Sequence, residues 1–324
     1  MPKHVHLTIP LEPNADTEWV SATATFPDSH PSLIEDGNGR LISVICHGIS
    51  GGFGDAKLSK LTDTKSEAHK NNPSLLRVVA EALPHASLRF DFRGCGDSAG
   101  PPVLKWLDYY ECLADLTRVC QWLQKRNWKI NAIIGHSMGS LVGVLYILRN
   151  PAVPRYFINI SGRFDIKAGL LKKVVRDQYI SNESLTELLN ETSNRSDSTT
   201  ASSRIQIKGW RGGREANGER LKGEHVPYEM CIQEGIQIWQ RLDAEIATIS
   251  AVFPATLDTL TVHGTLDETV PVADASLFDR VLPNHTLALV EEGNHNLTSS
   301  DHAQKSCGII VNWLAARDFL HKQE

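Results

Sequence analysis

Gly135-His136-Ser137-Met138-Gly139 fits the pattern G-x-S-x-G, which stands a serine on a sharp turn with its hydroxyl free. Serine at its ordinary acidity is a poor nucleophile. It reacts when a histidine within hydrogen-bond reach takes its proton and a carboxylate orients that histidine. In strand-turn-helix sites of this kind the chain order is serine, acid, histidine. Downstream of Ser137 the segment His263-Gly264-Thr265-Leu266-Asp267 places Asp267 in a loop after an apolar strand, and Asp267 is the acid this order selects. Asp165 is the main competitor, while Glu268 is only a neighbour of Asp267 and Asp258 precedes the strand. Glu291-Glu292-Gly293-Asn294-His295 follows the last strand, so His295 is the expected base, better placed than His285 or His302. The charge that develops on a substrate carbonyl needs backbone donors. The amide after the nucleophile, Met138, supplies one, and Ile49 in His47-Gly48-Ile49-Ser50-Gly51-Gly52 supplies the second. Together these residues describe nucleophilic acyl transfer.

Such a constellation needs a scaffold that brings loops more than a hundred residues apart to one end of a sheet. Residues 5–9 and 19–26 are partly alternating and predict an opening antiparallel pair. Leu41 to Cys46 is a short β-branched run leading into glycines, hence a buried strand. A helix is expected from Pro73 with Leu75, Leu76, Val79 and Leu83 on one face, then a strand from Ala86 to Phe90. Trp106, Tyr110, Leu113, Leu116, Cys120 and Leu123 recur at helical spacing. Ile130 to Ile134 then predicts a strand, Met138 to Arg149 a helix and Tyr156 to Ile160 a strand. Apolar strands alternating with helices imply a mostly parallel central sheet flanked by helices. The rhythm breaks between Arg163 and Ile249, with helical patches and a Ser/Thr-rich loop at 192–203. It resumes with a strand from Leu257 to Val262, a helix from Ala273 to Val281, a strand from Thr286 to Val290 and a helix from His302 to Leu320. The expected division is a core of residues 1–162 and 250–324 with 163–249 inserted as a lid.

Composition narrows the chemistry further. A formal net charge of -5 leaves no broad basic field for nucleic acid or an anionic membrane. The six cysteines form no C-x-x-C pair, so neither zinc nor thioredoxin-like chemistry is implied, and no Walker A or G-x-G-x-x-G loop calls for a nucleotide cofactor. No segment reaches the roughly 18 apolar residues of a membrane span and the first residues lack an apolar signal core, so a cytoplasmic protein is expected.

With these motifs in place, the chain resembles the α/β-hydrolase superfamily over nearly its whole length, within the branch of cinnamoyl/feruloyl-esterase-like and serine-aminopeptidase-like hydrolases. Asp91-Phe92-Arg93-Gly94-Cys95-Gly96-Asp97-Ser98 looks like that branch's D-x-R-G-x-G-x-S segment, in order with the oxyanion loop, elbow, acid and histidine. Arg93, Asp97 and Ser98 are expected to hold a turn rather than to react. The resemblance implies an α/β-hydrolase fold with a lid after the sixth strand, no cofactor, and hydrolysis of a small or medium carboxylic ester as the activity. Its substrate partner is then a small acyl compound. Amide or peptide cleavage, thioester cleavage and acyl transfer would use the same residues. A non-catalytic binding protein on the same fold is the reading from another class.

Overall fold

In the computed structural model, residues 2–11, 19–27, 37–48, 74–98, 109–166, 204–211 and 224–320 are described. Eight strands form one sheet: β1 (Lys3–Pro10), β2 (Trp19–Phe26), β3 (Leu41–Cys46), β4 (Ala86–Phe90), β5 (Lys129–His136), β6 (Tyr156–Ile160), β9 (Asp258–Gly264) and β10 (His285–Val290). The order across the sheet is β1-β2-β4-β3-β5-β6-β9-β10. The first two strands pair antiparallel, β2 runs antiparallel to β4, and every later pairing is parallel. This is the α/β-hydrolase fold, as the alternation of apolar strands and helices predicts.

Successive residues of a strand point to opposite faces, and the central strands are buried on both. Val44 and Ile133 face one core layer while Ile45 and Ile134 face the other. Helices α2 (Tyr109–Gln124) and α3 (Met138–Arg149) cover the first face, and α1 (Leu75–Ala82) and α7 (Ser300–Leu320) the second. Helix α6 (Val272–Val281) adds Phe278 to the first layer. Helix α1 starts near Pro73, as expected: Ser74 is its N-cap in an extended conformation, and Pro73 itself lies outside the described residues. Trp106 likewise lies outside them, ahead of α2.

Between β6 and β9 the chain departs from the alternation. Strands β7 (Arg204–Arg211) and β8 (Glu224–Cys231) pair antiparallel in a sheet of their own, where the sequence suggests helical patches. In β7, Ile205 and Ile207 alternate in sequence with Arg204, Gln206 and Lys208, the period of two of a strand. The Ser/Thr-rich stretch at 192–203 lies outside the described residues. Helix α4 (Ile232–Ala247) follows, with the short α5 (Ile249–Val252) after it. Trp239, Leu242, Ile246 and Ile249 are buried in the same layer as α2 and α3. Glu245 of α4 accepts a hydrogen bond from Tyr110 Oη at 2.9 Å and pairs with Arg149 at 2.9 Å. The end of this segment is therefore core.

Candidate active site

Parallel strands deliver their following loops to one end of the sheet, and three such loops converge here. Strand β5 passes through Ser137 into α3. Ser137 takes φ +53° and ψ −115°, a left-handed backbone rare for a side chain with a Cβ, which holds its hydroxyl out of the strand-helix line. The turn is braced from both sides. Ser137 N–H donates to the Ile160 carbonyl at 2.8 Å, and Ser140 Oγ donates to the Gly135 carbonyl at 2.6 Å. At Gly139 a Cβ would stand 2.6 Å from the carbonyl oxygens of Cys46 and His47, so only glycine lets the end of β3 lie against the start of α3.

His295 Nε2 lies 3.0 Å from Ser137 Oγ, and its Nδ1 lies 2.8 Å from Asp267 Oδ2. The carboxylate places the imidazole proton on Nδ1, which leaves the Nε2 lone pair facing the serine hydroxyl. Asp267 Oδ1 accepts the backbone N–H groups of Thr269 and Val270 at 2.8 and 2.7 Å. Burial works against the Asp267 charge. Hydrogen bonds from His263, from His295 and from the Val270 N–H outweigh it and hold the carboxyl below the usual carboxylate range. Glu268 Oε2 accepts the His295 backbone N–H at 3.1 Å, so it meets His295 through the main chain. Asp165, in the loop after β6, has its N–H 3.3 Å from Asp274 Oδ2, while His295 Nδ1 meets Asp267. Asp258 and His285 open β9 and β10, at the far end of the sheet.

Of the two expected backbone donors, Met138 is the first residue of α3, and its N–H is one of those a helix start leaves without an intrahelical acceptor. Ile49 lies outside the described residues. Its neighbour Gly48 is described: a Cβ there would sit 3.1 Å from Ser137 Cβ, so the loop after β3 reaches Ser137. His47 anchors this loop, with Nε2 accepting the Phe92 N–H at 3.1 Å and Nδ1 donating to the Gly48 carbonyl at 2.6 Å. The segment after β4 is itself tied down. Arg93 meets Asp115 at 2.6 Å and Glu111 at 2.7 Å, and Asp97 N–H donates to Asp91 Oδ2 at 3.1 Å. Ser98 Oγ accepts the Ser21 N–H at 2.8 Å and donates to the Asp91 carbonyl. These are turn-holding roles, as expected.

Three histidines were not assigned from the sequence: His47, His136 and His263. His136 donates from Nε2 to the His295 carbonyl at 3.0 Å. Burial is the main cause that lowers both His47 and His136 to about 4, so each is neutral near pH 7. Each begins or sits inside a motif already read, HG-x-x-G, G-x-S-x-G and H-G-x-x-D, and that adjacency was their one signal. Among the described residues no cluster of His, Cys, Asp and Glu is disposed to hold a metal ion.

A family model described as Hydrolase_4, serine aminopeptidase S33, matches residues 82–301. The chain belongs to this family. No curated protein matches it significantly. Among solved structures it is similar to Est1E of Butyrivibrio proteoclasticus with ferulic acid bound, with TM-score 0.61 and 17% identity over 96% of this chain and 98% of that one. It is also similar to an esterase domain from Rhodothermus marinus, with TM-score 0.55 and 17% identity over 96% and 97% of the two chains. Alpha/beta hydrolase domain-containing protein 10 from mouse gives TM-score 0.55 and 14% identity over 99% and 100%. At these identities the likeness is one of fold. No helix among the described residues is long and apolar enough to cross a membrane.

Proposed function

We propose that this α/β hydrolase cleaves small or medium carboxylic esters through an acyl-enzyme on Ser137. The observation that carries the reading is the continuous path Ser137 Oγ, His295 Nε2, His295 Nδ1, Asp267 Oδ2, with links of 3.0 and 2.8 Å. His295 takes the hydroxyl proton as Oγ attacks the carbonyl carbon. Asp267 stabilises the imidazolium so formed. The Met138 amide and that of Ile49 receive the oxyanion, and the placement of Gly48 beside Ser137 supports the second of these. His295 then protonates the departing alcohol, and water, activated by the same imidazole, releases the acid.

The part of segment 163–249 that precedes α4 is proposed as the lid that shapes the acyl pocket; its residues 167–203 and 212–223 lie outside the described residues. Its first turn is held beside the acid loop: Arg163 Nη2 donates to the Thr269 carbonyl at 2.5 Å, and Phe164 N–H donates to Asp274 Oδ2 at 2.8 Å. The description of the family as serine aminopeptidase makes amides the second reading. The test is hydrolysis of p-nitrophenyl acetate and butyrate, a feruloyl ester, an aminoacyl amide and an acyl thioester by wild type and Ser137→Ala. Ester turnover that disappears in Ser137→Ala is expected. Equal ester rates in the two proteins would contradict the serine mechanism, and amide turnover exceeding ester turnover would favour the second reading.

A further inference from the structure

We propose that His263 is a positioning residue for the acid, a second imidazole that holds Asp267 Oδ2 in line with His295. The proposal rests on the serine-hydrolase reading above. His263 lies near the end of β9 and is wholly buried. Its Nε2 is 3.2 Å from Asp267 Oδ2 and 3.0 Å from the Val270 carbonyl. An ionised carboxylate and a carbonyl only accept, so the proton sits on Nε2. Nδ1 is buried and meets no partner among the described residues. His263 therefore faces Asp267 through its Nε2–H edge, with Nδ1 turned to a site that offers no partner among those residues.

The consequence lies in how the Asp267 carboxylate is shared. Oδ1 takes two backbone amides, while Oδ2 takes the imidazole N–H of His295 at 2.8 Å and lies 3.2 Å from His263 Nε2, whose one N–H is shared with the Val270 carbonyl. Val270 closes a ring: its N–H binds Oδ1 and its carbonyl binds His263. With all four directions occupied, the carboxylate cannot rotate away from His295. The His263 N–H also draws charge from Oδ2 and so moderates how strongly the carboxylate favours the imidazolium of His295. The titratable groups around His263 and His295 are Asp267, Glu268 and the neutral His136. A purely structural histidine would leave the acid limb of the rate profile where it is.

The experiment compares kcat, KM and the pH dependence of kcat for p-nitrophenyl butyrate in wild type, Ser137→Ala, His263→Leu, His263→Gln and His263→Asn. Loss of a hydrogen bond to a charged group corresponds to about a tenfold fall in kcat for His263→Leu, with KM within about twofold. The limb governed by His295 is expected to move to higher pH, because an Oδ2 with one donor fewer holds the imidazolium more tightly. Glutamine carries an N–H where Nε2 stands, so His263→Gln restores both kcat and the limb, while the shorter asparagine does not. An unchanged limb and kcat in His263→Leu, or equal rates for Leu and Gln, would overturn the proposal. If His263→Leu does not fold by circular dichroism, Gln against Asn decides: higher kcat for Gln is expected, and equality overturns it. Full ester activity in Ser137→Ala would instead sink the serine reading. Loss there with wild-type behaviour of the His263 variants sinks this inference alone.

Discussion

Asp267 and Asp165 are both carboxylates in loops at the same end of the sheet, and what separates them is which one His295 Nδ1 faces. That nitrogen lies 2.8 Å from Asp267 Oδ2. Asparagine at 267 keeps the shape but can turn an amide N–H toward the ring, forcing the imidazole proton onto Nε2, where it cannot accept from Ser137. Asp267→Asn should therefore lower kcat by about 10⁴, the size of the same exchange in the serine-protease template, with little change in KM. Asp165→Asn should stay within about twofold of wild type. Steady-state kinetics of the two variants check this, and the reverse pattern would move the acid to Asp165. At this scale the sequence was most informative where a residue's role follows from a local motif, as for Ser137, or from chain order, as for Asp267 and His295. With thirteen histidines in the chain, type alone could not single out His136, whose partner His295 lies 159 residues away. Nor could it show that Glu268 meets His295 through a backbone N–H.

At the scale of elements, the elbow works because β5, α3 and the end of β3 approach more closely than a side chain allows. Gly139→Ala would place a methyl 2.6 Å from two backbone oxygens, which cannot yield as a flexible side chain can. It should destabilise by about 3 kcal/mol and reduce ester turnover as the β3 loop is pushed from Ser137. Thermal melting and kinetics measure the two effects, and a stable, fully active Gly139→Ala would contradict the packing. Trp239→Ala tests α4 in the same way: Trp239 is 1% exposed, and its removal should cost about 3 to 5 kcal/mol, far more than truncation in a detachable flap. Melting of the variant within a degree of wild type would refute that anchoring. The parallel strands were legible because burial on both faces makes Ile42–Cys46, Ile130–Ile134 and Tyr156–Ile160 mostly apolar runs, each broken by one polar residue, Ser43, Asn131 and Asn159. The β7/β8 pair was not, since polar residues interrupt both strands and the twelve residues 212–223 between them are too many for a two-residue hairpin loop.

For the molecule as a whole, buried ionisable groups make stability depend on pH. His47 and His136 are lowered from 6.5 to about 4, so between those values the unfolded chain binds more protons than the folded one. Their contribution is complete above about pH 6.5 and is lost as pH falls toward 4. Asp115 acts in the opposite direction. Burial raises it to about 6 against the pull of Arg93, so it returns some stability over the same interval. Asp267, held below the usual range, adds its loss only below its ordinary 3.8. Two histidines outweigh one aspartate, giving a net loss of about 2 kcal/mol from pH 7 to 5, or a melting temperature lower by roughly 3 °C for a chain of 324 residues. Calorimetry at the two pH values checks this, and a flat or rising profile would contradict it. The central claim is the covalent step at Ser137. Intact-mass and peptide mass spectrometry after treatment with a fluorophosphonate tests it most directly. One adduct per chain on the peptide holding Ser137 is expected, abolished in Ser137→Ala together with ester turnover. Ester hydrolysis that continues at the wild-type rate without Ser137, or an adduct that forms on another residue, would contradict the account.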